Sequence, residues 1–314
     1  MKKVKMKKVF GIISKVLAGI GIALALFLLF TFLYHKIKMK KEEALISKPL
    51  GKMVMVDGHQ MCVYSGGKGE RTLVFLSGSG VVCPILDYKS LYSLLEEDYR
   101  VVVIEKFGYG FSDVVDEERS FDKMLAQDRD VLSKAGIDGP YILCPHSMSG
   151  LEAILWAQNY PDEVEAIVGL DMVVPGFYDD FDFTGTVRYE KNAGLARKMG
   201  LIRFFYTDGA ISPTLSEDEK KVYKALAAKK AVNCDIVNET LAIPKACEEI
   251  SKNPMPDQKM LMFISNGPGN LGEAPKKFAK ELPNCRSVEL DCGHNIHYYE
   301  YERIAREIRE FIKK

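Results

Sequence analysis

The chain has 314 residues, 47% of them hydrophobic and 27% charged, with a formal net charge of zero. That length and balance suffice for one large core or two modest ones, and exclude both a disordered chain and a disulfide-dense miniature. The charge is unevenly placed: Met1 to Lys48 holds eleven lysines against Glu42 and Glu43, so the remaining body is as acidic as the tail is basic. An acidic body gives no basic face for phosphates, so no nucleic-acid partner is expected.

The basic tail reads as a membrane anchor. Residues 1–15 carry six lysines, and Val16 to Tyr34 then runs nineteen residues without a charge. As a helix that run is about 28 Å long, close to the ~30 Å hydrocarbon core of a bilayer. It ends Phe32-Leu33-Tyr34-His35-Lys36, with no small-residue cleavage site, which predicts an uncleaved single-pass span rather than a signal peptide. Five more lysines follow within 35–50, a segment read as a polar stalk. The lysine balance places the N-terminus on the cytoplasmic side and the body outside. Seven cysteines, odd in number and outside any C-x-x-C pair, argue the other way. The expectation is a body outside the cytoplasm.

Lys52 to Val56 and His59 to Tyr64 predict two strands joined at Asp57-Gly58, a hairpin signal. Strands and helices then alternate. Thr72 to Leu76 is an apolar strand, followed by a helix near Pro84 to Glu96; Val101 to Glu105 is a strand, followed by a helix from Phe121 to Lys134. Tyr141 to Cys144, the helix Ser149 to Asn159 and the strand Val164 to Leu170 continue the pattern. Continuous apolar runs mark strands buried on both faces, as in a parallel sheet with helices on each side. Residues 174–256 break the alternation with helix-rich sequence, including Leu215 to Ala228 and Ile236 to Ser251. Alternation resumes with Lys259 to Ile264, a helix at Pro275 to Glu281, the strand Arg286 to Leu290 and a last helix to Phe311. The expectation is an α/β core over 51–173 and 257–314, with 174–256 as a helical cap over the strand ends, where ligands bind in open α/β sheets.

Cys144-Pro145-His146-Ser147-Met148-Ser149-Gly150 lies at a strand-to-helix junction. A serine nucleophile needs such a tight turn to project its hydroxyl, with small residues two positions to either side. The stretch resembles the G-x-S-x-G elbow of the α/β-hydrolases, and the resemblance extends from about Lys52 to the C-terminus. Pro145 and Ser149 stand where the glycines are usual. Serine is small enough, and proline fits where its missing N–H has no partner to lose. Ser149 as nucleophile would put Leu151 where a small residue is required, which favours Ser147.

The resemblance implies further parts. Ser77-Gly78-Ser79-Gly80 stands where the family carries His-Gly-x-Gly, so the N–H groups of Ser79 and Met148 would form the oxyanion hole. Glu105 to Ser112 resembles the family's D-x-x-G-x-G-x-S turn, which shapes the pocket. Gly293-His294, after the last apolar strand, supplies the general base, in the chain order this fold requires. His294 and His297 lack a third ligand nearby, so no metal is expected; His297 is read as opening the last helix and lining the site. The acid of many relatives follows the strand after the cap, yet Ser265 to Asn270 contains no carboxylate. Some haloalkane dehalogenases and lipases carry it one strand earlier, where Gly169-Leu170-Asp171 ends a strand here. Asp171 is the choice, with Glu273 in reserve.

The resemblance therefore implies a serine hydrolase without cofactor. Serine at the nucleophile position argues against the epoxide hydrolase and haloalkane dehalogenase chemistries of this fold, which use aspartate there. Carboxylesterase, lipase or thioesterase action on a small-molecule or lipid acyl substrate is the expectation. A peptidase or amidase, or a slow ligand-binding member of the fold, is the alternative.

Overall fold

The computed structural model describes residues 2–313, with side-chain environments from Val9 onward; the side chains of the lysines at 2–8 lie outside the described residues. Helix α1, Lys2–Glu42, contains the uncharged run. Its apolar window has a mean hydropathy of 2.7 and is almost wholly exposed, and the helix is long and apolar enough to cross a membrane. The predicted stalk departs from expectation in its first half, because α1 continues to Glu42 before a single 3-10 turn over Glu43–Leu45. Contacts with the body hold that extension: Glu42 pairs with Arg203 at 2.6 Å, and His35 is buried.

Eight strands form one sheet: β1 Lys52–Val56, β2 His59–Gly66, β3 Thr72–Leu76, β4 Arg100–Glu105, β5 Tyr141–Ser147, β6 Val164–Met172, β7 Lys259–Ser265 and β8 Cys285–Leu290. Their spatial order is β1-β2-β4-β3-β5-β6-β7-β8. The pairs β1/β2 and β2/β4 are antiparallel and the others parallel. Strands β3 and β4 are buried along nearly their whole length, as their unbroken apolar runs require.

The helices are α2 Pro84–Asp87, α3 Lys89–Leu95, α4 Phe121–Ala135, α5 Ser149–Asn159, α6 Phe183–Lys198, α7 Glu217–Lys230, α8 Cys234–Ser251, α9 Ala274–Glu281, α10 Ile296–Tyr299 and α11 Tyr301–Lys313. Local signals set their ends. The Ser120 side chain caps α4 by accepting from Lys123 N–H, and Gly136 closes it with φ 76°. A Ser216/Glu219 capping box opens α7. Helices α4, α5 and α9 cover one face of the sheet, and α3 and α11 cover the other through residues such as Leu91, Ile304 and Ile308. The single helix expected over Pro84 to Glu96 is broken at Tyr88, whose fully buried ring turns inward and whose hydroxyl donates to the Leu76 carbonyl.

Between β6 and β7 the chain is helical, with no strand. The aromatic run there packs on itself, with Phe181 4.9 Å from Phe183 and 5.2 Å from Tyr178, centroid to centroid. Helix α8 is fixed to the loop after β4. Asp235 accepts from the N–H groups of Val115 and Asp116 at 3.0 and 3.1 Å, and Asn233 donates to the Gly108 carbonyl at 2.7 Å.

Candidate active site

The ends of β5 and β6 build the site. Ser147 is the last residue of β5 and has φ 54°, a left-handed conformation that few non-glycine residues adopt. The turn is tied on both sides. Ser147 carbonyl accepts from Val173 N–H at 2.8 Å, and the buried Ser149 hydroxyl donates to Leu76 carbonyl while accepting from His146 N–H at 3.0 Å. Two glycines make this packing possible. A Cβ on Gly150 would stand 2.1 Å from Val173 carbonyl oxygen, and one on Gly78 would stand 2.6 Å from Ser147 Cβ. Ser149 is thus a buried structural hydroxyl of the turn. Pro145, in the first small-residue position, lies within β5 opposite Leu76 of β3.

Asp171 stands one residue before Met172, which pairs with Ser147 across the β5/β6 ladder. It too has a left-handed backbone, φ 47°, and its carboxylate is fully buried. Oδ2 lies 2.6 Å from His294 Nδ1 and accepts the Ser265 hydroxyl at 2.6 Å, while Oδ1 accepts Ser265 N–H at 2.8 Å. Burial alone would raise its pKa, but these hydrogen bonds outweigh burial and hold it below the usual carboxylate range. An ionised carboxylate only accepts, so His294 Nδ1 is the donor of that bond.

His294 lies on the loop after β8, beside the elbow. Its carbonyl is 3.3 Å from His146 Nε2, and its ring centroid is 4.7 Å from that of His146, the residue preceding Ser147. His297 packs on His146 at 4.8 Å and on Tyr88 at 4.8 Å. Burial, then the neighbouring His294, pushes His297 down to about 3, and the same causes hold His146 well below its ordinary value. Both therefore stay neutral around His294.

Ser79 is exposed at the end of the glycine-containing turn after β3, and Met148, directly after Ser147, is buried at the start of α5. Glu273 lies apart from the cluster. It is solvent-exposed at the start of α9, 3.5 Å from Lys276. Glu105 is buried within its turn and accepts from Phe111 N–H at 2.7 Å, occupying the space that a side chain on Gly110 would need.

Sequence reasoning overlooked Ser265, which holds both oxygens of Asp171. The signal was available, since Ser265 ends β7, where many relatives place the acid itself. It also passed over His146 and Tyr88, whose burial against His297 no local pattern announces.

A doubly covered, mostly parallel sheet with a left-handed serine between strand and helix defines the class: the chain has the α/β-hydrolase fold. Along its whole length it is related to the Bacillus subtilis protein YbdG, itself uncharacterised, with 32% identity over an alignment covering 98% of this chain and 99% of that protein. Epoxide hydrolase 1 of Caenorhabditis elegans is 25% identical over 175 residues, 54% of this chain and 40% of that one. Among solved structures, a loop variant of the haloalkane dehalogenase DbeA-M1 from Bradyrhizobium elkanii superposes with a TM-score of 0.63 at 19% identity, covering 83% of this chain and 96% of that one. No protein-family model matches the chain.

Proposed function

We propose that this protein is a membrane-anchored serine hydrolase that cleaves an ester-type acyl bond through an acyl-enzyme on Ser147. The observation that carries the reading is the pair Asp171–His294 at 2.6 Å, beside a serine held at φ 54°. Nε2 of His294 takes the Ser147 proton as Oγ attacks the acyl carbonyl. The N–H groups of Met148 and Ser79 receive the oxyanion. The tetrahedral intermediate expels the alcohol, which takes the proton from His294, and water then cleaves the acyl-enzyme by the same base. Asp171 fixes the tautomer and stabilises the imidazolium.

The epoxide hydrolase and dehalogenase relatives do not supply the chemistry, because serine stands at the nucleophile position here. In this reading residues 174–256 form a cap over 51–173 and 257–314, and α1 holds the body at a membrane surface outside the cytoplasm.

Labelling of the full chain in detergent with a fluorophosphonate tests the proposal. We expect wild type and Ser149→Thr to label, and Ser147→Ala and His294→Ala not to. A wild-type chain that resists the probe while remaining folded makes the ligand-binding alternative the correct one.

A further inference from the structure

The body does not hang from α1 on a free tether; it is docked along the helix. Gly200, at φ 81°, packs against α1 so closely that an added Cβ would stand 2.6 Å from His35 Cβ and 2.7 Å from the Thr31 carbonyl. Arg203 then reaches Glu42 with two hydrogen bonds, at 3.0 and 2.6 Å, and donates to His35 Nδ1 at 3.3 Å. These contacts fix the height of the turn at 200–206 relative to the helix.

That height is informative. Phe204 stacks on Phe27 at 6.4 Å, and Phe27 lies seven residues before Tyr34, where the uncharged run ends. Seven residues of α-helix span about 10 Å. With α1 across a bilayer, Phe204 therefore sits about 10 Å inside the polar boundary, a third of the way through a ~30 Å hydrocarbon core. Phe204 and Phe205 are 62% and 69% exposed to solvent, unfavourable for neighbouring phenylalanines in water and favourable for a turn immersed in lipid.

Between this turn and α1 lies a cavity of about 490 Å³. Phe30, Tyr34, Phe204 and Tyr206 line it, and Lys38 and Arg203 stand where α1 leaves the uncharged run. Phe30 and Phe204 are at hydrocarbon depth and Lys38, Glu42 and Arg203 at headgroup height, the polarity profile of a lipid in a leaflet, while the remaining charge in the lining, Lys224, is paired with Asp208 at 2.6 Å. We propose that this cavity binds one acyl chain of a bilayer phospholipid, with the cap turn at 200–206 immersed in the same leaflet. Helix α7 forms its inner wall through Lys224, Ala227 and Ala228, and on the same helix the buried Tyr223 hydroxyl donates to Asp87 at 3.1 Å. Membrane phospholipid is then the acyl substrate class that this proposal implies. This rests on α1 spanning the membrane and, for the substrate class, on the hydrolase reading.

The test uses the full chain in phosphatidylglycerol/phosphatidylcholine vesicles, with carbonate extraction first to establish that it is integral. Phe204→Trp and Tyr160→Trp are compared with the parent, whose one tryptophan, Trp156, is fully buried. Tyr160 caps α5 at the end opposite Ser147. With acyl-chain-brominated phosphatidylcholine we expect Phe204→Trp to lose about half its emission or more, while Tyr160→Trp and the parent keep theirs. A phospholipid with a diazirine in its acyl chain should crosslink to peptides containing Phe30, Tyr34 or Tyr206, and the cavity-filling Ala228→Phe should reduce those crosslinks severalfold. No quenching at 204 in an integral chain overturns the proposal. So do crosslinks that ignore Ala228→Phe. Fluorophosphonate labelling of the same vesicles reads the hydrolase separately: quenching without labelling supports the lipid site while the serine-hydrolase reading falls.

Discussion

At the scale of single residues, Asp171 illustrates how a site is made from restraint. Its left-handed backbone costs on the order of 1 kcal/mol or more, and it persists because three hydrogen bonds hold the carboxylate. With the proposed mechanism, Asp171→Asn lowers kcat/KM on an activated ester by about 10⁴-fold, since the amide favours the wrong histidine tautomer. Ser265→Ala, which leaves its N–H in place, costs about tenfold. Steady-state kinetics on both variants check the order. The sign of the pH effect follows from the lowered pKa of Asp171. Its stabilising contribution is complete above the ordinary aspartate value and is lost as pH falls through the lower folded value.

At the scale of elements, two buried polar clusters fasten the helices between β6 and β7 to the sheet. Lys106, after β4, reaches Glu152 of α5 at 3.2 Å and Glu239 of α8 at 2.6 Å, and Tyr109 also donates to Glu239. Burial alone would lower the Lys106 pKa, but the two glutamates raise it, so the ammonium stays charged. Burial, then Glu152, pushes the pKa of Asp128 of α4 upward. Lys106→Met strands two buried carboxylates, and urea denaturation should show a loss of about 3–5 kcal/mol. The second cluster joins α2, α7 and α10. Tyr223 and Tyr298 both donate to Asp87, which burial raises to about 7 despite those bonds. A native carboxyl raised above its unfolded value binds protons that the unfolded chain has released. Stability therefore falls as pH rises from about 4 to about 7, by up to about 1.4 kcal/mol per unit. Asp87→Asn should flatten that slope in thermal unfolding followed across pH.

At the scale of the whole molecule, α1 is docked on the body rather than tethered to it. Thr31, His35 and Glu42 lie along one face of α1, at successive spacings of four and seven residues, and all face Gly200 or Arg203. Arg203→Ala should release α1 from the body without unfolding it. Hydrogen exchange of the full chain in detergent should then show faster exchange at 35–45 and 200–206, with protection of β3 to β7 unchanged. Loss of protection throughout the sheet would instead make the contact part of the global fold.

The linear chain was enough to define the strands and the place of the elbow, because those are local matters. Unbroken apolar runs bounded by Gly, Asp and Pro define strands such as Thr72–Leu76 without reference to anything distant, and small residues around Ser147 mark a turn that only they can make. The nineteen uncharged residues of α1 are similarly self-sufficient, since bilayer thickness alone fixes the required length. Other features depended on distant parts of the chain. That Asp171 rather than Glu273 meets His294 follows from the β5/β6/β7 order, which brings residues 147, 171 and 265 to adjacent strand ends. The break at Tyr88, the raised pKa of Asp128 and the extension of α1 to Glu42 each depend on partners many residues away. A buried charge or an inward-turned ring is stabilised by the groups that surround it in space, and spacing along the chain carries no record of them.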